Sequence, residues 1–146
     1  MPTFNDGRRN EKLKSPSPIV LGNMVTARDF VALRLGFPWW DLSLPNIVES
    51  TETLNHILTL MSAPVGSVAA LYIPGTIVFP DEFDMERSGH HLVHEMTHHA
   101  QLVKRMRHPH PKDAERLAYE LQNQYAALRG WTNRIGSQRF IEEMTR

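Results

Sequence analysis

The chain has 146 residues, 41% hydrophobic and 22% charged, with 16 basic against 16 acidic side chains and no cysteine. That size and balance describe one globular domain with a modest core, not a disordered chain. A net charge of zero gives no electrostatic footing for nucleic acid or an anionic membrane, and without cysteine any metal site must use His, Asp or Glu.

Positions 1–18 are polar, with Gly7 and three prolines, and read as a flexible tail ahead of a single domain over 19–146. Basic residues (Arg8, Arg9, Lys12, Lys14) precede a short apolar stretch, Ile19-Val20-Leu21, that Gly22 and Asn23 cut off. The stretch is too short for a signal-peptide core, and no apolar run approaches the ~18 residues of a membrane span. The expected location is therefore the cytoplasm by default, with no membrane partner.

Thr26 is a candidate cap for a helix over Ala27–Leu35, closed by Gly36 and Pro38. Phe37-Pro38-Trp39-Trp40 follows, and its tryptophans are expected to anchor a loop in the core. Pro45–Glu49 reads as a short extended segment and Thr51–Met61 as a helix, with Leu54, Ile57, Leu58 and Met61 at helical spacing. His56 on that helix reads as structural. Two β-rich runs, Val68–Ile73 and Thr76–Phe79, flank Pro74-Gly75 and predict a hairpin. Its strands either cover the helical core or offer an edge to an extended peptide.

Ser88 is a candidate cap for a helix running to about Arg107, with Lys104, Arg105 and Arg107 favouring the negative end of its dipole. His108-Pro109-His110-Pro111 breaks it. Pro111 suits the first position of a return helix, Asp113 its first turn, and Gly130 its end. Trp131, Ile135, Phe140 and Ile141 suggest a short docking helix in the last residues.

The central helix carries His94-Glu95-Met96-Thr97-His98, an H-E-x-x-H motif. Residues four apart in a helix share a face, so His94 and His98 can offer two imidazole nitrogens to one Zn²⁺. Glu95 sits ~100° away round the helix, placed to reach a water on the metal. Two ligands, one general base and one open coordination position are what metal-assisted hydrolysis needs.

The third ligand must come from elsewhere. A Gly at 101 followed by His at 104 would extend the motif, but those positions hold Gln101 and Lys104. The return helix offers Glu115 and Glu120, which border its apolar face on opposite sides. Glu115 shares its stripe with Ala118, Tyr119, Gln122 and Ala126, small or hydrogen-bonding residues that let helices approach. Glu120 shares its stripe with Arg116, Asn123 and Gln124, a solvated face with an Arg116–Glu120 pair. Glu115 is the favoured ligand, with Asp113 a weaker third choice. His91 falls near the metal face as a supporting group or accidental ligand. His99 is rotated away and is expected to be exposed.

The run Leu92 to Gln101, followed by Glu115-Arg116-Leu117-Ala118-Tyr119-Glu120-Leu121-Gln122, resembles a small bacterial family of unknown function. Its members have a minimal gluzincin-like core, H-E-x-V-H-H-x-Q followed by E-x-x-A-Y-x-x-Q. The resemblance covers about 45–130, including the strand region at Ala70-Leu71-Tyr72 and Thr76-Ile77-Val78. Thr97 departs from the family's usual branched apolar residue and leaves the ligands intact.

The resemblance implies a zincin-like fold with His94, His98 and Glu115 as zinc ligands and Glu95 as base. The expected architecture is α+β, an active-site helix packed on an antiparallel glutamate helix with a small antiparallel hairpin or sheet. The expected activity is zinc-dependent peptide hydrolysis with one Zn²⁺ per chain, a peptide or protein substrate and no nucleic acid. Oligomeric state is left open. Tyr119, or failing it Tyr72, His90 or His91, would steady the oxyanion. The alternative is a catalytically inactive zinc-binding interaction module, closed by a fourth ligand such as His91.

Overall fold

The computed structural model describes residues 17–84 and 88–130. It is an α+β arrangement of four helices and a three-stranded mixed sheet. Helix α1 spans Pro18–Leu35 and a 3-10 turn Trp39–Asp41. Strand β1 is Asn46–Glu49, α2 Thr51–Leu60, β2 Leu71–Ile73 and β3 Thr76–Phe79. Helices α3, His90–Val103, and α4, Pro111–Leu128, follow.

Helix α1 starts much earlier than Thr26. Ser17 accepts from the Val20 N–H at 3.3 Å, and Pro18 occupies the first turn, where its missing N–H costs nothing. Pro18 therefore belongs to the helix and not to a tail; positions 1–16 lie outside the described residues. Gly22 does not stop α1, because Val20, Met24, Ala27 and Val31 bury one continuous face around it. Thr26 lies inside the helix and donates to the Gly22 carbonyl. Gly36 closes the helix in the left-handed conformation, φ 87°.

The tryptophans do not anchor the core. The 3-10 turn after Pro38 directs them outward, leaving Trp39 55% and Trp40 71% exposed. They meet edge-on at 5.7 Å, and the Arg28 guanidinium lies over Trp39 at 5.3 Å. Leu42, fully buried, takes the core position of this loop instead.

The hairpin forms as expected, but its first strand begins at Leu71, not Val68. Pro74-Gly75 makes the turn with Gly75 at φ 85°. The sheet is mixed, not purely antiparallel. Its order is β1-β3-β2, with β1 parallel to β3 through Ile47↔Ile77 and Val48↔Val78. A parallel pair needs a crossover, which α2 supplies. Central β3 alternates: Ile77 and Phe79 join the main core, while Val78 packs on Leu54 and Leu58 of α2.

Helix α3 lies at the centre of the main core, burying Leu92, Val93, Met96 and Ala100 against α1 and α4. Gly89 precedes its first turn without a side-chain cap, so Ser88 does not cap it. It ends at Val103, earlier than Arg107, because Arg105 turns left-handed at φ 51° and the Met106 N–H returns to the Gln101 carbonyl. Lys104, Arg105 and Arg107 thus lie past the helix; Lys104 pairs with Asp41 at 2.5 Å. His110 caps α4 by accepting from the Lys112 N–H, and Asp113 reciprocates on the His110 N–H. The short connection makes α3 and α4 an antiparallel pair. The docking helix expected beyond Gly130 lies outside the described residues.

Candidate metal centre

The α3–α4 seam brings His94, His98 and Glu115 together. His94 Nε2 lies 2.8 Å from Glu115 Oε1, His98 Nε2 3.1 Å from Oε2, and the two Nε2 atoms 3.3 Å apart. The register follows from the sequence of both helices. Four-residue spacing stacks the imidazoles on one face of α3, and Ala118, fully buried, lets the backbones approach beside Glu115.

Two glutamines orient the rings. Gln101 Nε2 donates to the Ala114 carbonyl at 2.9 Å, which turns Gln101 Oε1 toward His98 Nδ1, also at 2.9 Å. Gln122 Nε2 donates to His91 Nδ1 at 3.2 Å, which turns Gln122 Oε1 toward His94 Nδ1 at 2.9 Å. Each amide oxygen requires a proton on the Nδ1 it faces. In the neutral rings both Nε2 atoms are then bare lone pairs pointing at a carboxylate. Three acceptors packed this closely repel unless a cation or protons lie among them.

This arrangement fits a metal ion. Bonds of about 2.0–2.1 Å at tetrahedral angles place zinc ligand atoms about 3.3 Å apart. Among the described residues, His94, His98 and Glu115 form the one group of three or more His, Asp or Glu side chains able to hold an ion. His91 is not in it, being engaged by Gln122. Glu120 and Asp113 are outside it too, and Asp113 serves the α4 cap.

Electrostatics record the same convergence. When protons and not a metal lie among these atoms, hydrogen bonds from His94 and His98 hold the Glu115 carboxyl well below the usual carboxylate range, against the opposing effect of burial. Burial disfavours a proton on His98, but Glu115 and Glu95 outweigh it and raise its pKa. Burial raises the pKa of Glu95, partly offset by His94, His98 and the nearby Tyr72 backbone N–H. Tyr119 is also raised, by burial and then by Glu115 and Glu95.

The group lies on the wall of an open cavity of about 640 Å³, lined also by Glu95, Tyr119, His91 and the segment Gly66–Tyr72. Tyr119 stands edge-on to His94 with ring centres 4.6 Å apart. Tyr72 faces the cavity, but its hydroxyl is engaged by His99 Nδ1 at 2.9 Å and the Gly75 N–H at 2.8 Å. It is thereby withdrawn from the oxyanion role considered for it.

His99 corrects an expectation. It points away from the metal face, as the helical wheel requires, yet it is only 3% exposed. Strand β2 and the loop at Ser43 cover that direction, and its Nε2 lies 3.0 Å from the Ser43 carbonyl. Gln101 and Gln122 are the residues whose orienting role the motif alone did not assign.

Comparison with protein-family models, curated proteins and solved structures returns no match.

Proposed function

We propose that this chain is a zinc-dependent metallopeptidase with a gluzincin-like centre. The observation carrying the reading is the set of three convergent acceptor atoms, with both Nδ1 protons fixed by glutamines, open to a cavity beside Glu95. Two imidazoles and one carboxylate form a donor set suited to catalytic zinc. Zn²⁺ held by His94, His98 and Glu115 would acidify a coordinated water and polarise the scissile carbonyl.

The remaining work falls to the side chains. Glu95, next to His94 and raised in pKa by burial, is a stronger base than an exposed carboxylate. It takes the proton as water attacks the peptide carbon and passes it to the leaving amine nitrogen when the C–N bond breaks. Tyr119, against His94 and keeping its proton at neutral pH, donates to the oxyanion. The outer edge of β2 and the segment leading into it border the cavity, giving an extended peptide a backbone to align along. An inactive structural site would be closed by a fourth protein ligand; three ligands facing a cavity favour turnover.

Purified protein in zinc-replete buffer should contain about one zinc per chain by elemental analysis. Against a peptide library read by mass spectrometry, Glu95→Gln should keep the metal and lose cleavage. Absence of zinc in wild type would overturn the centre, and full cleavage by Glu95→Gln would overturn the base.

A further inference from the structure

The sequence His94-Glu95-Met96-Thr97-His98-His99 contains two pairs of residues one helical turn apart, rotated from each other by about 100°. His94 and His98 form the first pair and face Glu115. Glu95 and His99 form the second. Glu95 lines the same cavity as Tyr72 of β2, and His99 Nδ1 lies 2.9 Å from the Tyr72 hydroxyl.

The proton directions in this second contact are set. His99 Nε2 faces the Ser43 carbonyl, which can only accept, so Nε2 carries the proton. In the neutral ring Nδ1 is then the acceptor and the Tyr72 O–H donates to it. The Tyr72 oxygen in turn accepts from the Gly75 N–H. One imidazole thus joins the Ser43 loop, α3 and the β2–β3 turn, with every polar atom of the chain in use. The rings meet edge-on at 5.5 Å.

We propose that His99 and Tyr72 form a positioning brace that fixes β2 over Glu95. His99 touches no reacting atom; it acts through Tyr72. The side chain of Tyr72 is pinned to His99 one turn along α3 from Glu95, which holds β2 as the cavity wall beside the base. The brace sets the distance between the base and the wall along which a substrate lies. Its catalytic consequence rests on the peptidase reading; its structural consequence does not.

Tyr72→Phe keeps the ring and removes the hydroxyl. The expected result is unchanged zinc affinity, measured with zinc alone against a chromophoric chelator. On a peptide drawn from the cleavage library, kcat should fall on the order of 10- to 100-fold, the scale of a small misplacement at a reacting group. KM should change much less. Amide hydrogen exchange should quicken at Gly75, which loses its acceptor, and also at the paired amides of β2 and β3, which are released only if the strand loosens.

His99→Gln, which offers one donor and one acceptor, should recover part of the activity that His99→Ala loses. Unchanged kcat in Tyr72→Phe overturns the brace, and so does loss of zinc or of the fold in both Tyr72→Phe and His99→Gln. If wild-type, zinc-loaded protein cleaves nothing, the peptidase reading fails on its own. The brace is then decided by exchange: faster exchange at Gly75 and in the β2–β3 pairing supports it, and faster exchange at Gly75 alone overturns it.

Discussion

Gln122 is fully buried and uses both ends of its amide, with the oxygen on His94 and the nitrogen on His91. Replacing it with methionine preserves length and removes the acceptor that fixes the His94 tautomer. Gln122→Met should weaken zinc binding by about 10- to 100-fold, the usual effect of losing a partner that orients a ligand. Chelator competition would measure this, with far-ultraviolet circular dichroism checking that the helices persist. At this scale much was legible in advance. Glu115 stood out from Glu120 because its stripe on α4 carries Ala118 and Gln122, and the structure brings that stripe against α3. His99 was not legible, because its burial depends on a strand and a loop far away in the chain, which a helical wheel cannot see.

The helices carry their own signals, and where those were strong the sequence reading was close. Helix α4 ends within a residue or so of the expected position, with Pro111 and Asp113 in its first turn. Helix α1 is longer than its reading from Ala27 because Thr26, the candidate cap, lies inside it; the mid-helix cost of Gly22, roughly 1 kcal/mol, is small beside the core buried on either side. The parallel pairing of β1 with β3 was invisible, since a four-residue strand says nothing about its partner thirty positions on. The Trp39–Trp40 pair was misjudged because average burial says nothing about where a particular turn points a ring. Helix α3 closes through a left-handed residue that is arginine instead of glycine. The hydrogen bonds Met106 N–H to Gln101 and Arg105 N–H to Leu102 complete that closure. Arg105→Gly should relieve the strain of a β-carbon there, net of the entropy glycine adds to the unfolded chain, and stabilise the protein by about 0.5–1 kcal/mol. Chemical denaturation would read this as a higher midpoint at constant slope.

For the molecule as a whole, buried His90 and His99 and half-buried His91 set an acid limit. Burial lowers the pKa of His90 and His99, and burial together with His90 and His94 lowers that of His91 to about 4. Below the ordinary value of 6.5 the unfolded chain takes up protons that the folded chain refuses, so stability falls as pH drops from 6.5 toward 4. His98 does not cancel this: its pKa is raised, so its contribution is fully present below 6.5 and is lost only as pH rises further. Glu115, held low, loses its contribution only below its ordinary value of 4.5. Glu95, raised by burial, works the other way, since the folded chain takes up its proton first as pH falls toward 4.5, but one carboxylate stands against three imidazoles. The urea midpoint of metal-free protein should therefore decline across that interval. The length of β2 has a further consequence, for solubility. Strand β2 is an edge, and an edge N–H invites a strand from another molecule. Here the edge is only three residues long and runs into Pro74, which has no N–H to give. An edge that can seat a few residues of a peptide is thus too short to template a growing sheet.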